Sequence, residues 1–206
     1  MSEETSADPG AFGILTPTQI AILERDAFRV EEALASRQRS PCDWTPSFAL
    51  AVHRDAFANV FPEAAGILRS SDVSLRDLPV PRAGQVLYRL VDALAEAAAL
   101  IERSAALADP TLKTDEVMVC AALFHAHCIV AQPFGDGNKR WARLLLNALL
   151  VDCGFAPGTR FDPLQKAAYH EAVDQAIAGH ADALAELILI GWLGQRRIYR
   201  GADQQA

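Results

Sequence analysis

The sequence predicts an all-α domain with one short extended element, and three observations carry that expectation. Alanine and leucine dominate, and apolar residues recur at three- to four-residue spacing along nearly the whole chain, the period of a helix face. Residues suited to helix starts, such as Thr16-Pro17 and Asp162-Pro163, punctuate the periodic runs. Only residues 66–84, "GILRSSDVSLRDLPVPRAG", lack the helical period.

Taken in order, residues 17–37 form a first helix with Thr16 as its N-cap, and "SPCDWTP" breaks it. A second helix runs from about Pro46 to Val60. Within 66–84, "DVSL" suits an extended strand, which Pro79 and Pro81 keep from continuing. A third helix spans about 83–103. Thr114, followed by Asp115 and Glu116, reads as the cap of a fourth. Val117, Cys120, Ala121, Phe124 and Cys128 form the core face of that helix, and Pro133 limits it. A fifth helix starts after Asn138, is apolar nearly all round at 144–151, and ends at Gly154. Asp162-Pro163 opens a sixth, closed near Gly179, and Ala181 to about Tyr199 makes the last. No internal repeat is present. Residues 1–13 are expected to be a disordered tail and 14–206 a single domain, with its core at about 45–190.

Composition narrows the function classes. A 206-residue chain that is 51% hydrophobic and 22% charged can bury one sizeable core. Its net charge of −7 offers no basic field to nucleic acid or an anionic membrane. The apolar runs at 144–151 and 184–193 are much shorter than the ~20 residues of a membrane span. The N-terminus "MSEETSADPG" lacks the basic and apolar regions of a signal peptide, so a cytoplasmic location is expected. Cys42, Cys120, Cys128 and Cys153 show no CxxC spacing and read as reduced, buried thiols.

The chemistry is concentrated in "QPFGDGNKRWAR", residues 132–143. Gly135 and Gly137 let main-chain amides approach a ligand closely. The first amides of the helix after Asn138 have no partner within the helix and carry the positive end of its dipole, which favours phosphate. Arg140 and Arg143, three apart, share a helix face from which both can fork onto phosphate oxygens. Asp136 is the one anion in the loop and suits Mg²⁺ beside phosphates. Feature by feature, this equally describes an ordinary helix–loop–helix turn; the whole string is far more specific.

That string resembles the signature of the Fic/Doc family, His-Pro-Phe-x-Asp/Glu-Gly-Asn-Gly/Lys-Arg-x-x-Arg, at Pro133, Phe134, Asp136, Gly137, Asn138, Lys139, Arg140 and Arg143. The lysine at 139 is similar to the Doc branch. Upstream, "LFHAHCIVAQ" and "AVHRDAFANVFPEAAGILR" resemble the helix before the motif and the segment leading into the family's flap. The resemblance implies a helical bundle whose motif loop joins two central helices, with residues 70–81 as a short β-hairpin flap holding an extended target segment. It implies transfer of AMP from ATP, or of another phosphate-containing group, to a hydroxyl on a target protein. In that reading Asp136 binds Mg²⁺, and Asn138 and the loop amides cradle phosphates. Arg140 and Arg143 stabilise the transferred or leaving phosphates. The nucleotide-contacting set is Phe134, Gly135, Gly137, Asn138, Lys139 and Arg140, with Phe134 and Trp141 serving chiefly as anchors of the loop.

The departure is Gln132, which stands where the family has the histidine that deprotonates the attacking hydroxyl. A carboxamide has no usable pKa near neutrality, and a positioned base is worth about 10²–10⁴ in rate. Four accounts follow: a nucleotide-binding pseudoenzyme, an inactivated transferase, different chemistry on a phosphate-bearing small molecule with Gln132 orienting it, or a substitute base. His125 and His127 are the candidates for the last. His125 lies seven residues back, about 10 Å along a helix axis, and reads better as a core histidine. His53, His170 and His180 carry no sign of more than surface or helix-end roles. The inhibitory pattern Ser/Thr-x-x-x-Glu-Gly/Asn found in relatives is absent around Glu24, Glu31 and Glu32. A helical interaction module, the reading from another class, leaves the motif unexplained.

Overall fold

A computed structural model describes residues 13–36, 42–75, 78–155 and 166–203. Among these are seven α-helices, one 3-10 turn and no strand. Residues 1–12 of the expected 1–13 tail and the Asp162-Pro163 helix start lie outside the described residues.

Helix α1, Pro17–Ala35, opens with a capping box. Thr16 Oγ1 accepts from the Gln19 amide at 3.2 Å, and Gln19 Oε1 accepts from the Thr16 amide at 2.9 Å, so two orphan donors are satisfied reciprocally. Helix α2, Pro46–Phe57, is capped by Thr45 and ends three residues before the expected Val60. After the 3-10 turn Ala83–Gln85 comes α3, Val86–Ala106.

The fourth helix, α4, starts earlier than expected, at Pro110, and runs to Ala131. Its cap is Asp109, which accepts from the Thr111 and Leu112 amides, and not Thr114. Thr114 lies within the first turns and its hydroxyl donates back to the Pro110 carbonyl at 2.7 Å, the alternative open to a threonine inside a helix. Helices α5 (Asn138–Asp152), α6 (Lys166–Ile177) and α7 (Asp182–Asp203) complete the bundle.

Helix α4 packs against α3, α5, α6 and α7, while α1 and α2 lie across α5. This explains the two most apolar stretches. Leu144, Leu145, Leu146, Leu149 and Leu150 of α5 are all buried, as are Val117, Ala121, Phe124 and Cys128 of α4; Cys120, expected in the core, is only half-buried. By length and composition α4 is apolar enough to cross a membrane, yet those qualities are what a helix enclosed by four others requires.

The expected hairpin at 70–81 is not formed by the described residues, with Arg76 and Asp77 outside them. Pro79 and Pro81 have no amide to donate to a ladder. The two arms are instead joined by a buried side chain, Arg69, whose guanidinium donates to the carbonyls of both Ser71 and Pro81.

Asp152, at the end of α5, fixes the approach to α2. Its Oδ2 accepts from the Cys42 amide at 2.8 Å and the Trp44 indole at 2.9 Å. Replacing Asp152 by Ala strips both donors of an ionised acceptor and is expected to cost about 1–3 kcal/mol. The shift of a urea unfolding midpoint at constant slope measures it.

Candidate functional site

The site begins where α4 stops. Gln132 is the one non-glycine residue with positive φ among the described residues, at φ 40° and ψ 56°. A helix commonly closes by returning the amide after the cap to a carbonyl in its last turn. Here that next residue is Pro133, which has no amide. The Gln132 side chain supplies the missing donor: Nε2 donates to the Ile129 carbonyl at 2.7 Å. Its Oε1 accepts from Asn138 Nδ2 at 3.1 Å. The left-handed backbone, costing about 1–2 kcal/mol for a side-chain-bearing residue, is pinned from a third side by Arg69, whose Nε donates to the Gln132 carbonyl at 2.6 Å.

Asn138 closes the loop on itself. Its Oδ1 accepts from the Phe134 amide at 3.0 Å, and Nδ2 donates to the Phe134 carbonyl at 2.9 Å as well as to Gln132. Both amide hydrogens of Asn138 are therefore engaged, and its side chain offers an anion no donor. Of this residue, only the backbone amide at the start of α5 could meet the expected phosphate.

A histidine from α2 holds the loop from below. His53 lies between two aromatic rings, 4.4 Å from Phe57 and 3.6 Å from Phe134 by ring centroids, nearly parallel to both. Its Nδ1 accepts from the Gly66 amide at 2.9 Å, which puts the proton on Nε2, and Nε2 donates to the Asp136 carbonyl at 3.1 Å. Burial pushes its pKa down to about 4, against the opposing pull of the Asp136 carbonyl. Phe134 also meets Trp141 edge-on at 5.2 Å, and the Trp141 indole donates to the Ala49 carbonyl at 2.9 Å. The aromatic anchors expected of Phe134 and Trp141 are thus in place. Gly137, at φ 77°, lets the loop pass over Phe57: a β-carbon there would lie 2.5 Å from Phe57 Cζ.

The basic residues of the motif follow the loop into the first turns of α5. Arg140 and Arg143 are half-buried and Lys139 is exposed. Arg140 Cζ sits 5.9 Å over the Phe57 ring, a cation–π contact. Burial, then the like charge of Arg143, lowers the Arg140 pKa, while Glu24 and Asp136 act in the opposite sense. Two guanidinium groups that disfavour one another, beside a helix N-terminus, make a field that an anion relieves. Asp136 Oδ1 accepts from the Gly137 amide at 2.5 Å. Among the described residues no group of three or more His, Cys, Asp or Glu side chains is arranged to hold a metal. A lone carboxylate fits Mg²⁺ of the kind that arrives with nucleotide phosphates, since that ion retains waters and takes one or two carboxylates.

His125 is buried, with Nδ1 3.3 Å from the Ala142 carbonyl and Nε2 2.7 Å from the Tyr169 hydroxyl. The carbonyl can only accept, so Nδ1 donates and Nε2 accepts from Tyr169. Burial first, opposed by that carbonyl and aided by Arg143, brings its pKa to about 4. His125 is the core histidine anticipated. His127 is exposed, 2.9 Å from Glu96. His53 is the correction: it is a fully buried clamp and not a surface residue. Arg69 was equally unmarked in the sequence. Their common signal, polar residues punctuating "AVHRDAF" and "GILRS", has no period that would single them out.

The sequence profile of the Fic/DOC family matches residues 43–150, more than half of the chain. The chain belongs to the Fic/DOC family. It is 33% identical over 129 residues to "Protein adenylyltransferase Fic" of Nematostella vectensis, covering 62% of this chain and 27% of that protein. It is 32% identical over 108 residues to "Protein adenylyltransferase fic-1" of Caenorhabditis elegans, covering 52% and 19%. This Fic chain therefore spans only a minor part of those relatives' lengths. The fold is shared with the solved C. elegans Fic-1 fragment, with TM-score 0.69, 24% identity, and coverage of 93% of this chain and 55% of that one. It is also shared with BepC of Bartonella tribocorum, solved with bound AMPPNP, with TM-score 0.62, 18% identity, and coverage of 91% and 93%.

Two outcomes follow from the clamp. Gly137→Ala adds a β-carbon both against Phe57 and at positive φ, and should lower stability by at least about 1 kcal/mol, read from the urea midpoint. His53 and His125 are neutral when folded and titrate near their ordinary 6.5 when unfolded. The unfolded chain then binds more protons between about pH 6.5 and 4, so stability is full above that window and falls as pH drops through it. At pH 5 the loss is on the order of 2 kcal/mol per histidine. Urea midpoints across pH 7.5 to 5 check this, with His53→Gln expected to flatten the dependence.

Proposed function

We propose that this Fic-family chain binds a nucleoside triphosphate, ATP, with Mg²⁺ at the 135–143 loop, and transfers its AMP or another phosphate-containing group to a hydroxyl of a target protein. The observation that carries this reading is the joining of a motif loop to the N-terminus of α5 beside the mutually repelling pair Arg140 and Arg143. The adenylyltransferase names of the relatives and the AMPPNP bound by BepC support it. Loop and α5 amides would face the phosphates, and the two guanidinium groups would stabilise charge leaving with pyrophosphate. Asp136 would hold Mg²⁺, whose positive charge neutralises the phosphates. The target segment would lie along 70–81, the stretch that resembles the family's flap.

Transfer is slow in this reading, because no side chain at 132 takes the hydroxyl proton. Gln132 is also not free to reorient: one amide hydrogen closes α4 and its oxygen holds Asn138. That engagement favours a second reading, a regulator that binds nucleotide without turnover.

The test is calorimetric titration with MgATP, followed by labelling. Wild type should bind and Arg140→Ala should bind at least about tenfold more weakly, the loss of one charge-assisted contact. With radiolabelled ATP and a cell lysate, Gln132→His should raise target labelling by about 10²–10⁴, the value of a positioned base. Binding retained with no gain in labelling would select the regulator, and absence of MgATP binding would overturn both readings.

A further inference from the structure

We propose that Arg69 is a positioning residue that couples the two arms of the 70–81 segment to the motif loop, so that displacement of one is transmitted to the other. The residue is 7% exposed, and among the described residues no carboxylate lies within salt-bridge distance of it. Its guanidinium is instead distributed over three main-chain carbonyls from three places in the sequence. Nε donates to Gln132 at 2.6 Å, one terminal nitrogen to Ser71 at 2.7 Å, and the other to Pro81 at 2.5 Å. The backbone adds a fourth strand of the same tie, since the Arg69 amide donates to the Pro133 carbonyl at 2.9 Å.

The geometry requires an arginine. The planar fork reaches three acceptors in fixed directions, whereas a lysine ammonium is a point charge that must choose among them. The bond to Gln132 matters most because that residue is the strained one. Its left-handed backbone persists only while its surroundings over-determine it, and its side chain sets Asn138, which in turn holds both backbone groups of Phe134. A pull on Ser71 or Pro81 thus reaches the loop through one buried group. Burial lowers the Arg69 pKa and the nearby charge of Asp72 opposes that shift. Asp72 is itself part of the segment: its Oδ1 accepts from the Ala83 amide at 2.7 Å and joins the two arms at the surface.

The functional meaning rests on the nucleotide-transfer reading, in which a target laid along the segment would set the loop for the phosphates. The coupling itself is testable without ligand. Amide hydrogen exchange is followed by NMR on the full chain for wild type, Asp72→Ala, Arg69→Lys and the double variant, with interior α4 amides as the control against global opening. Asp72 is exposed, so its replacement loosens the segment and leaves the core intact. Exchange at the Phe134 and Gly137 amides should rise roughly threefold or more in Asp72→Ala, beyond the scatter of independent sites. In the Arg69→Lys background the same change should add nothing at those two amides. Unchanged loop exchange in Asp72→Ala, or an equal factor in both backgrounds, overturns the proposal. Should Arg69→Lys fail to fold, the Asp72→Ala arm decides alone. MgATP added to wild type should, by reciprocity, slow exchange at residues 71–75. Failure of MgATP to bind would count against the nucleotide reading and leave the ligand-free result standing.

Discussion

The architecture of the site depends on a neutral imidazole. His53 can accept from the Gly66 amide through Nδ1 only while uncharged, and it can bridge Gly66 to Asp136 only in one tautomer, held between Phe57 and Phe134. A ring with one acceptor and one donor does here what no apolar residue can. It fills the space beneath the loop and satisfies two buried backbone groups, each of which would cost about 1–3 kcal/mol if left unpaired. Everything above it, including the turn at Gly137 and the direction of the first α5 amides, takes its position from that support.

The loop above is built for retention of shape. Asn138, Gln132 and Arg69 form a chain of side-chain bonds to main-chain atoms, and each member answers a specific deficit. Pro133 leaves the end of α4 without a closing amide, so Gln132 supplies one; the buried part of the loop has no ladder, so Asn138 spans Phe134. The residue that departs from the Fic signature is thereby absorbed into structure. What a ligand could meet is the paired guanidinium groups, the Asp136 oxygen not bonded to Gly137, and main-chain amides other than those of Phe134 and Gly137.

Much of this was legible in the amino-acid order. Helical period located all the helices, and Thr16 and Pro17 marked the start of α1 because capping chemistry is local. The motif was equally plain, since Gly137, Asn138 and Arg140 stand at fixed spacing. What escaped was non-local or ambiguous. Thr114 and Asp109 are both good caps, and only the following proline at 110 separates them. The family resemblance implied a hairpin at 70–81, but Arg69 joins the arms where a ladder would. His53 and Arg69 act on partners 83 and 63 residues away, a distance over which sequence period carries no information.

Those separations bear on how the site comes into being. Trp141 reaches Ala49 across 92 positions, and His53 reaches Asp136 across 83, so the loop acquires its form only after α2 and α5 have met. Contacts between distant parts of a chain are slow to form because the intervening loop must close first. Any binding competence of the loop would then arise late on the folding route. A molecule that occupies the finished loop recognises the native state alone and draws the folding equilibrium toward it by mass action. Cellular abundance of the folded protein would then rise and fall with the concentration of that molecule.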